Sequence, residues 1–294
     1  MTEKIAHSQR EHRKVTVYTP ESGLRSPGKL VADMFRDMIS ENCRDLAWRL
    51  FVRNISSQYR QSILGFVWIF LPPIVSAAVW IFLQSQKVVN FGETAVPYPV
   101  YVLTGNLIWM AFGKALLAPI QSVEREKAML TKLNFPREAI LGAGFLELLV
   151  NALVPMVILV PIFIWFKIMP TPLLVLAPFA ILITLLAGYS LGLLVTPIGL
   201  FYKDVSRAIP IGTRLWFFLT PVIYPIPTEG LAATVVRLNP ATPLLSTTRN
   251  LLTGQPPGLL SPFVIVSIVV TILLFGGLIT YRLAMPHIVE RMSA

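Results

Sequence analysis

Six apolar runs, at residues 62–83, 96–120, 139–166, 173–202, 208–227 and 259–281, alternate with polar connections along the chain. A helix needs about 20 apolar residues to cross a hydrocarbon core of roughly 30 Å, and each run is long enough. The first, fourth and sixth hold no charged residue. Lipid offers the backbone no hydrogen-bond partners, so the runs predict helices; barrel strands would alternate apolar and polar positions, and these do not. The pattern predicts an all-α integral membrane protein with six transmembrane helices over 62–285.

Charge then orients the pattern. The chain carries 25 Lys and Arg against 15 Asp and Glu, a net +10. With the amino terminus in the cytoplasm, nineteen of the 25 fall on the cytoplasmic side and only Lys87, Lys167, Arg237 and Arg249 on the other. Basic loops stay inside, so both termini are expected there, with tails at 1–28 and 286–294. The positive excess reports topology and anionic lipid rather than nucleic acid. No apolar run precedes residue 62, so the first span is expected to act as the insertion signal. The sole cysteine, Cys43, falls on the cytoplasmic side and offers no disulfide framework.

Residues 23–30 (GLRSPGKL) match the Gly and Lys spacing of a phosphate-binding loop. Leu30 stands where the magnesium-binding hydroxyl belongs, and Pro27 removes a backbone donor, so ATP is expected on another polypeptide. Over 29–61 the apolar residues come in pairs about four positions apart: Leu30 and Val31, Met34 and Phe35, Met38 and Ile39, Leu46 and Ala47, Leu50 and Phe51. Asp33, Arg36, Asp37, Arg44, Asp45, Arg49 and Arg53 lie mostly opposite. The stripe predicts one or two amphipathic helices at the membrane surface; a packed helix of a small soluble domain is the alternative. The segment at about 122–134 predicts a further helix stopped by Asn134 and Pro136, with Met129, Leu130 and Leu133 as an apolar patch. It reads as a protruding handle or as a plain solvated loop helix.

Three charges interrupt the spans. Counted at a helical rise of about 1.5 Å per residue, Lys114, Glu147 and Arg214 all lie roughly 9 to 12 Å from the inner boundary. Either Glu147 pairs with Lys114 or Arg214 near the inner mouth, or the two bases extend to the interface. Aromatic residues gather in and beside the membrane: Trp68, Trp80, Tyr98, Tyr101, Trp109, Phe112, Trp216, Phe217, Phe218 and Tyr224. Their rings suit the apolar faces of sugars, and they equally suit the interfacial belts of any membrane protein. The loop at 228–258 holds two short half-apolar helices, the second expected from a Thr242 cap to Gly254, read either as an outer gate or as a surface loop. His7, His12 and His287 all sit in tails, and neither a catalytic constellation nor metal-ligand spacing is visible.

Several motifs together resemble one family. They are QYRQSILGFVW at 58–68 running into Pro72 and Pro73, LTKLNFPRE at 130–138, FYKDV at 201–205, LWFFLTPVIYP at 215–225 and LNPATP at 238–243. In this order they resemble the membrane permease subunit of type-2 ABC exporters for polysaccharides, the O-antigen, teichoic acid and capsule permeases. The resemblance covers about residues 20–285. It implies a homodimer in the bacterial inner membrane, working with two copies of a separate ATPase that binds ATP and Mg. It further implies an interface helix within 29–61, a coupling helix at about 122–134 and outer gate helices between spans 5 and 6. The ATPase contact would comprise Glu124, Arg125, Lys127, Met129, Leu130, Leu133, Lys203 and Asp204. The cargo would be a glycan on undecaprenyl diphosphate, passing the aromatic residues named above, with no catalysis and no cofactor in this chain. Two alternatives remain: a type-2 exporter of a small lipid or drug, and a secondary transporter, which would ordinarily show internal repeats and ionisable groups nearer midplane.

Overall fold

The computed structural model describes residues 27–59, 67–89, 92–132 and 135–293. The tail up to residue 26, the first residues of the opening span (62–66) and Leu133 lie outside the described residues.

All regular elements among the described residues are helical. In chain order they are α1 (Pro27–Ile39), α2 (Glu41–Tyr59), α3 (Val67–Ser85), α4 (Tyr98–Arg125), α5 (Lys127–Lys132), α6 (Glu138–Met156) and α7 (Leu159–Trp165). After a 3-10 turn (Pro172–Leu176) come α8 (Ala177–Phe201), α9 (Lys203–Leu219), α10 (Gly230–Leu238), α11 (Ala241–Thr253) and α12 (Leu260–Ser293).

Five stretches are long and apolar enough to cross a membrane: α3, α4, α6 with α7, the 3-10 turn with α8, and α12. The remaining predicted run, 208–227, is redistributed. Its helix α9 begins at Lys203 and ends at Leu219, giving 17 residues or about 25 Å. Proline explains the stop: Pro221 disfavours helix at the preceding residue, and Thr220 is extended at φ −111°. The break between α6 and α7 has a similar origin, since Pro161 cannot donate to the Val157 carbonyl.

α4 is the axis of the bundle and is buried along most of its length, against α8, α6, α3, α9 and α11. Gly188 and Gly192, one turn apart on α8, let that helix approach closely: a Cβ on Gly188 would stand 2.6 Å from the Phe112 carbonyl. Without a hydrophobic drive between helices in lipid, such small-residue contacts supply the packing. α3 is the opposite case, exposing Leu71, Val75, Val79 and Phe82 along one side.

α1, α2 and α5 gather at one end, which also carries most of the basic residues and is called here the basic end. The surface stripe divides into two helices at Ser40, whose Oγ accepts from the Cys43 N–H at 3.3 Å and caps α2. Met34, Cys43, Ala47 and Leu50 are buried, α2 packing on α6, while Phe35, Met38, Ile39, Trp48 and Val52 form an exposed apolar face. Arg282 of α12 ties this layer down, donating to Asp37 of α1 at 2.7 Å and to Glu138 of α6 at 2.9 Å. The predicted tail at 286–294 therefore begins as helix, α12 continuing to Ser293.

Burial, then Glu138 and Asp37 nearby, push the Cys43 thiol up to about 11. A raised value keeps the thiol neutral at physiological pH, and only the thiolate reacts. Maleimide labelling of the folded protein at pH 7.5 is expected to be far slower than after denaturation; equal rates would contradict this packing.

Candidate substrate groove and its polar base

The aromatic residues of α3, α4 and α9 converge. Trp80 stacks on Phe217 with centroids 6.4 Å apart and meets Phe218 edge-on at 6.5 Å. Trp109 meets Phe217 at 6.2 Å and Trp216 at 5.9 Å, and Phe112 meets Trp216 at 5.4 Å. These edge-to-face pairs add to burial and hold the rings at fixed angles. The cluster borders a groove of about 660 Å³ between the three helices, lined by Trp80, Trp109, Phe217 and Phe218 and, further along, by Lys114 and Arg214.

The other aromatic candidates stand apart. Phe112 is buried behind the wall, and the Trp216 indole N–H is committed to Asn239 Oδ1 at 2.9 Å. Tyr101 and Tyr224 belong to the end opposite the basic one, where the Tyr101 hydroxyl donates to the Tyr224 carbonyl at 2.9 Å. Tyr98 begins α4 at that end, half-buried. Trp68, 54% exposed, lines a different cavity.

Of the three charges expected inside the spans, only Glu147 is buried, at 7% exposure; Lys114 and Arg214 open to the groove. The expected pairing is corrected too. Glu147 accepts from Arg125 at 2.5 Å and from Asn54 Nδ2 at 2.7 Å, rather than from Lys114 or Arg214. Lys114 Nζ instead donates to the Asn151 carbonyl at 3.3 Å. That carbonyl lacks its helical partner because residue 155 is proline and has no N–H.

Asn54 is the centre of a network at the basic end that the sequence did not announce. Its Oδ1 accepts from Arg53, and its Nδ2 also reaches Glu126 at 3.4 Å, while Arg53 pairs with Glu126 directly. Two acids, two bases and one amide thus join α2, α6 and the break between α4 and α5. Glu126 is that break, buried, with φ −93° and ψ 12°. The predicted handle at 122–134 is accordingly divided: residues up to Arg125 continue α4, and α5 holds six residues. Leu130 is in the core, which corrects its place in the apolar patch, and Met129 is half-buried. Glu124, Lys127, Lys203 and Asp204 are exposed on this end, and Arg125 is held by Glu147.

The segment 228–258 divides: α10 is exposed apart from Ala233 and Val236, whereas α11 is buried. All but two of the 13 residues of α11 are buried, and its first turn meets Ile108, Trp109 and Phe112 of α4. Trp109 lies eleven residues into α4, about 16 Å from its start, so the hairpin of α10 and α11 re-enters the bundle to mid-depth. Asn239 fixes its tip. Besides accepting from Trp216, it accepts from the Ala241 N–H at 3.0 Å and donates to the Leu219 carbonyl and to Thr220 Oγ1 at 3.0 and 2.8 Å. Asn239 therefore caps α11 in place of Thr242, whose hydroxyl donates to the Val236 carbonyl. Gly254 ends α11 as expected, at φ 73°.

Arg249, a loop charge by the sequence pattern, lies on this hairpin and is 2% exposed. Its guanidinium donates to the carbonyls of Pro221 and Val222 at 3.0 and 2.7 Å and stands 3.7 Å over the Tyr101 ring. None of the ion pairs among the described residues includes it. Gly105 makes the room, since a Cβ there would collide with the guanidinium and with the Val222 carbonyl.

The profile of the ABC-2 type transporter covers residues 45–253, well over half of the chain. The chain belongs to the ABC-2 type transporter family. A Myxococcus xanthus protein named O-antigen export system permease protein RfbA is 27% identical over 210 residues, covering 69% of this chain and 78% of its own length. Two Klebsiella pneumoniae proteins of the same name are 24% and 22% identical, each over 58% of this chain and 66% of their own. In this ABC-2 permease the matched region runs from α2 to the end of α11, so it takes in the polar network, the groove and the re-entrant hairpin together.

Proposed function

We propose that this chain is the permease subunit of an ABC exporter that moves a lipid-linked polysaccharide, O-antigen foremost, across the bacterial inner membrane. The observation that carries this reading is the aromatic groove, within a family whose cited relatives are named for O-antigen export. Its ring faces suit a sugar polymer, which binds weakly at each ring and slides.

On this reading the basic end is cytoplasmic, as the positive charge favours, and holds both termini. α9 is the fifth of six spans. It starts beside the basic-end terminus of α8, and the residues after it meet Tyr101 near the opposite end of α4. Two copies of the chain face each other across α3 and α9, closing their grooves into one conduit. Two copies of a separate ATPase, holding ATP and Mg, dock at Glu124 and Lys127 with Lys203 and Asp204. Closure of the motors pushes α5, the polar network passes the movement to α2 and α6, and the two copies' α3 and α9 separate. The hairpin of α10 and α11 serves as the outer gate, and undecaprenyl diphosphate carries the glycan. ATP hydrolysis in the separate subunit drives the cycle, and the difference in its binding to the two states, rather than chemistry in this chain, produces the change of shape.

Deletion of the gene in its host is expected to remove long-chain O-antigen from the cell surface, with recovery on complementation. Joint replacement of Trp80, Phe217 and Phe218 by alanine is expected to cut that recovery roughly tenfold at unchanged protein level. A deletion strain with undiminished surface glycan but altered export of a small lipid or drug would replace this reading with the other ABC-2 class.

A further inference from the structure

The groove and the cavity at the basic end share a wall residue, Lys114. The cavity, about 410 Å³, is lined by Gln58, Gln121 and Arg125 among others. Besides the shared Lys114, the charged residues of its lining are Arg125 and Glu147, and these pair with each other. The groove is different. Lys114 and Arg214 both face it, and neither belongs to any ion pair among the described residues. The rest of its lining is apolar or neutral, including Pro72, Met110 and Leu117. Two uncompensated cations in so apolar a setting are costly and strengthen any anion that reaches them.

We propose that Lys114 and Arg214 hold the diphosphate of the lipid carrier at the inner end of the groove. The assignment rests on the substrate class proposed above and names the site within it. Charge complementarity selects the occupant: a diphosphate diester carries two negative charges, matching two cations. The guanidinium takes oxygen atoms in pairs and the ammonium acts as a point charge. Trp80 and Trp109 stand in the same groove, so a sugar attached to the diphosphate meets a ring face while the headgroup is held. Lys114 is also the point of transfer: the headgroup enters through the cavity beside Gln58 and Gln121 and passes to Arg214 without leaving the reach of a cation. Its bond to the Asn151 carbonyl keeps Lys114 at that boundary.

The test is equilibrium binding of radiolabelled undecaprenyl diphosphate to the full-length permease in zwitterionic nanodiscs. Lys114→Gln and Arg214→Gln are each expected to weaken binding roughly tenfold, and the double variant more, as charge-assisted bonds are lost. Undecaprenol, which lacks the diphosphate, is expected to bind far more weakly, and inorganic pyrophosphate to compete at high concentration. Phosphatidylglycerol is expected to compete poorly. Binding of the double variant at wild-type affinity, or equal binding of undecaprenol, overturns the site. Displacement by phosphatidylglycerol at concentrations equal to undecaprenyl diphosphate overturns it in favour of a general anionic-lipid surface. Should the variants fail to fold, the wild type decides by salt: affinity must fall as ionic strength rises, and salt-independent binding overturns the assignment. Surface O-antigen in the deletion strain reports separately on the substrate class, so a misplaced site and a mistaken class give different results.

Discussion

Replacement of Arg249 by leucine is expected to destabilise the folded permease by about 2–4 kcal/mol, because two buried carbonyls lose their donor and the Tyr101 face loses its cation. The loss is not larger, since removing the guanidinium also removes the cost of burying a charge. The carbonyls of Pro221 and Val222 lie just past the end of α9, where helix dipoles concentrate negative potential, so no neutral side chain substitutes well. Gly105→Ala should produce a similar loss from the other side, its methyl group occupying the guanidinium's place. The two changes act on one contact, so the double variant should be less destabilised than the sum of the singles. Thermal unfolding in nanodiscs measures all three. An Arg249→Leu protein melting with the wild type would show that the clamp contributes nothing.

The second large effect is expected at Glu147. Its loss leaves Arg125 without its carboxylate and Asn54 without its shorter acceptor. Breaking a fully buried pair costs about 3–5 kcal/mol, but the Arg125 side chain is 47% exposed and reaches water, so roughly 1–2 kcal/mol is expected here. The functional change should exceed the structural one. On the proposed function, in which the network carries movement at α5 to α2 and α6, Glu147→Gln should hydrolyse ATP in the assembled transporter while exporting little. Exchanging the charges, Glu147→Arg with Arg125→Glu, should restore part of the export. Export and hydrolysis falling in proportion in Glu147→Gln would mean that the network merely supports the fold.

Much of the fold was legible because lipid constrains it so strongly. Five apolar runs became long helices, since a backbone in hydrocarbon has no other way to satisfy its polar groups. The helices Pro27–Ile39 and Glu41–Tyr59 were legible from the period of their apolar pairs, and the stop at Gly254 from the ease with which glycine takes the αL conformation found there. The aromatic candidates were legible as residue types, yet their sorting was not. Trp80, Trp109, Phe217 and Phe218 share a groove, whereas Tyr101 serves a clamp and Trp216 a hydrogen bond to Asn239. Composition cannot separate these uses, because each depends on which helix stands opposite.

The misplaced charges have one cause. Depth along separate helices makes Lys114 or Arg214 the expected partner of Glu147, but depth gives height and not azimuth. Glu147 faces Arg125 and Asn54, while Lys114 turns to a carbonyl freed by Pro155. Arg249 falls in a loop of the sequence pattern because its half-apolar segment is not long enough for another pair of spans, and the re-entrant path that buries it comes from packing on α4, α8 and α12.

By itself the sequence determined that this chain is a helical membrane protein, which end is basic, and where proline interrupts its helices; these follow from local hydrophobicity and backbone chemistry, which act residue by residue. Only the tertiary structure decided that a polar loop re-enters the bundle, that Arg249 clamps the end of α9, and that Lys114 and Arg214 look into one groove. Those outcomes depend on the rotation of each helix about its own axis, a quantity fixed by contacts between segments far apart in the chain.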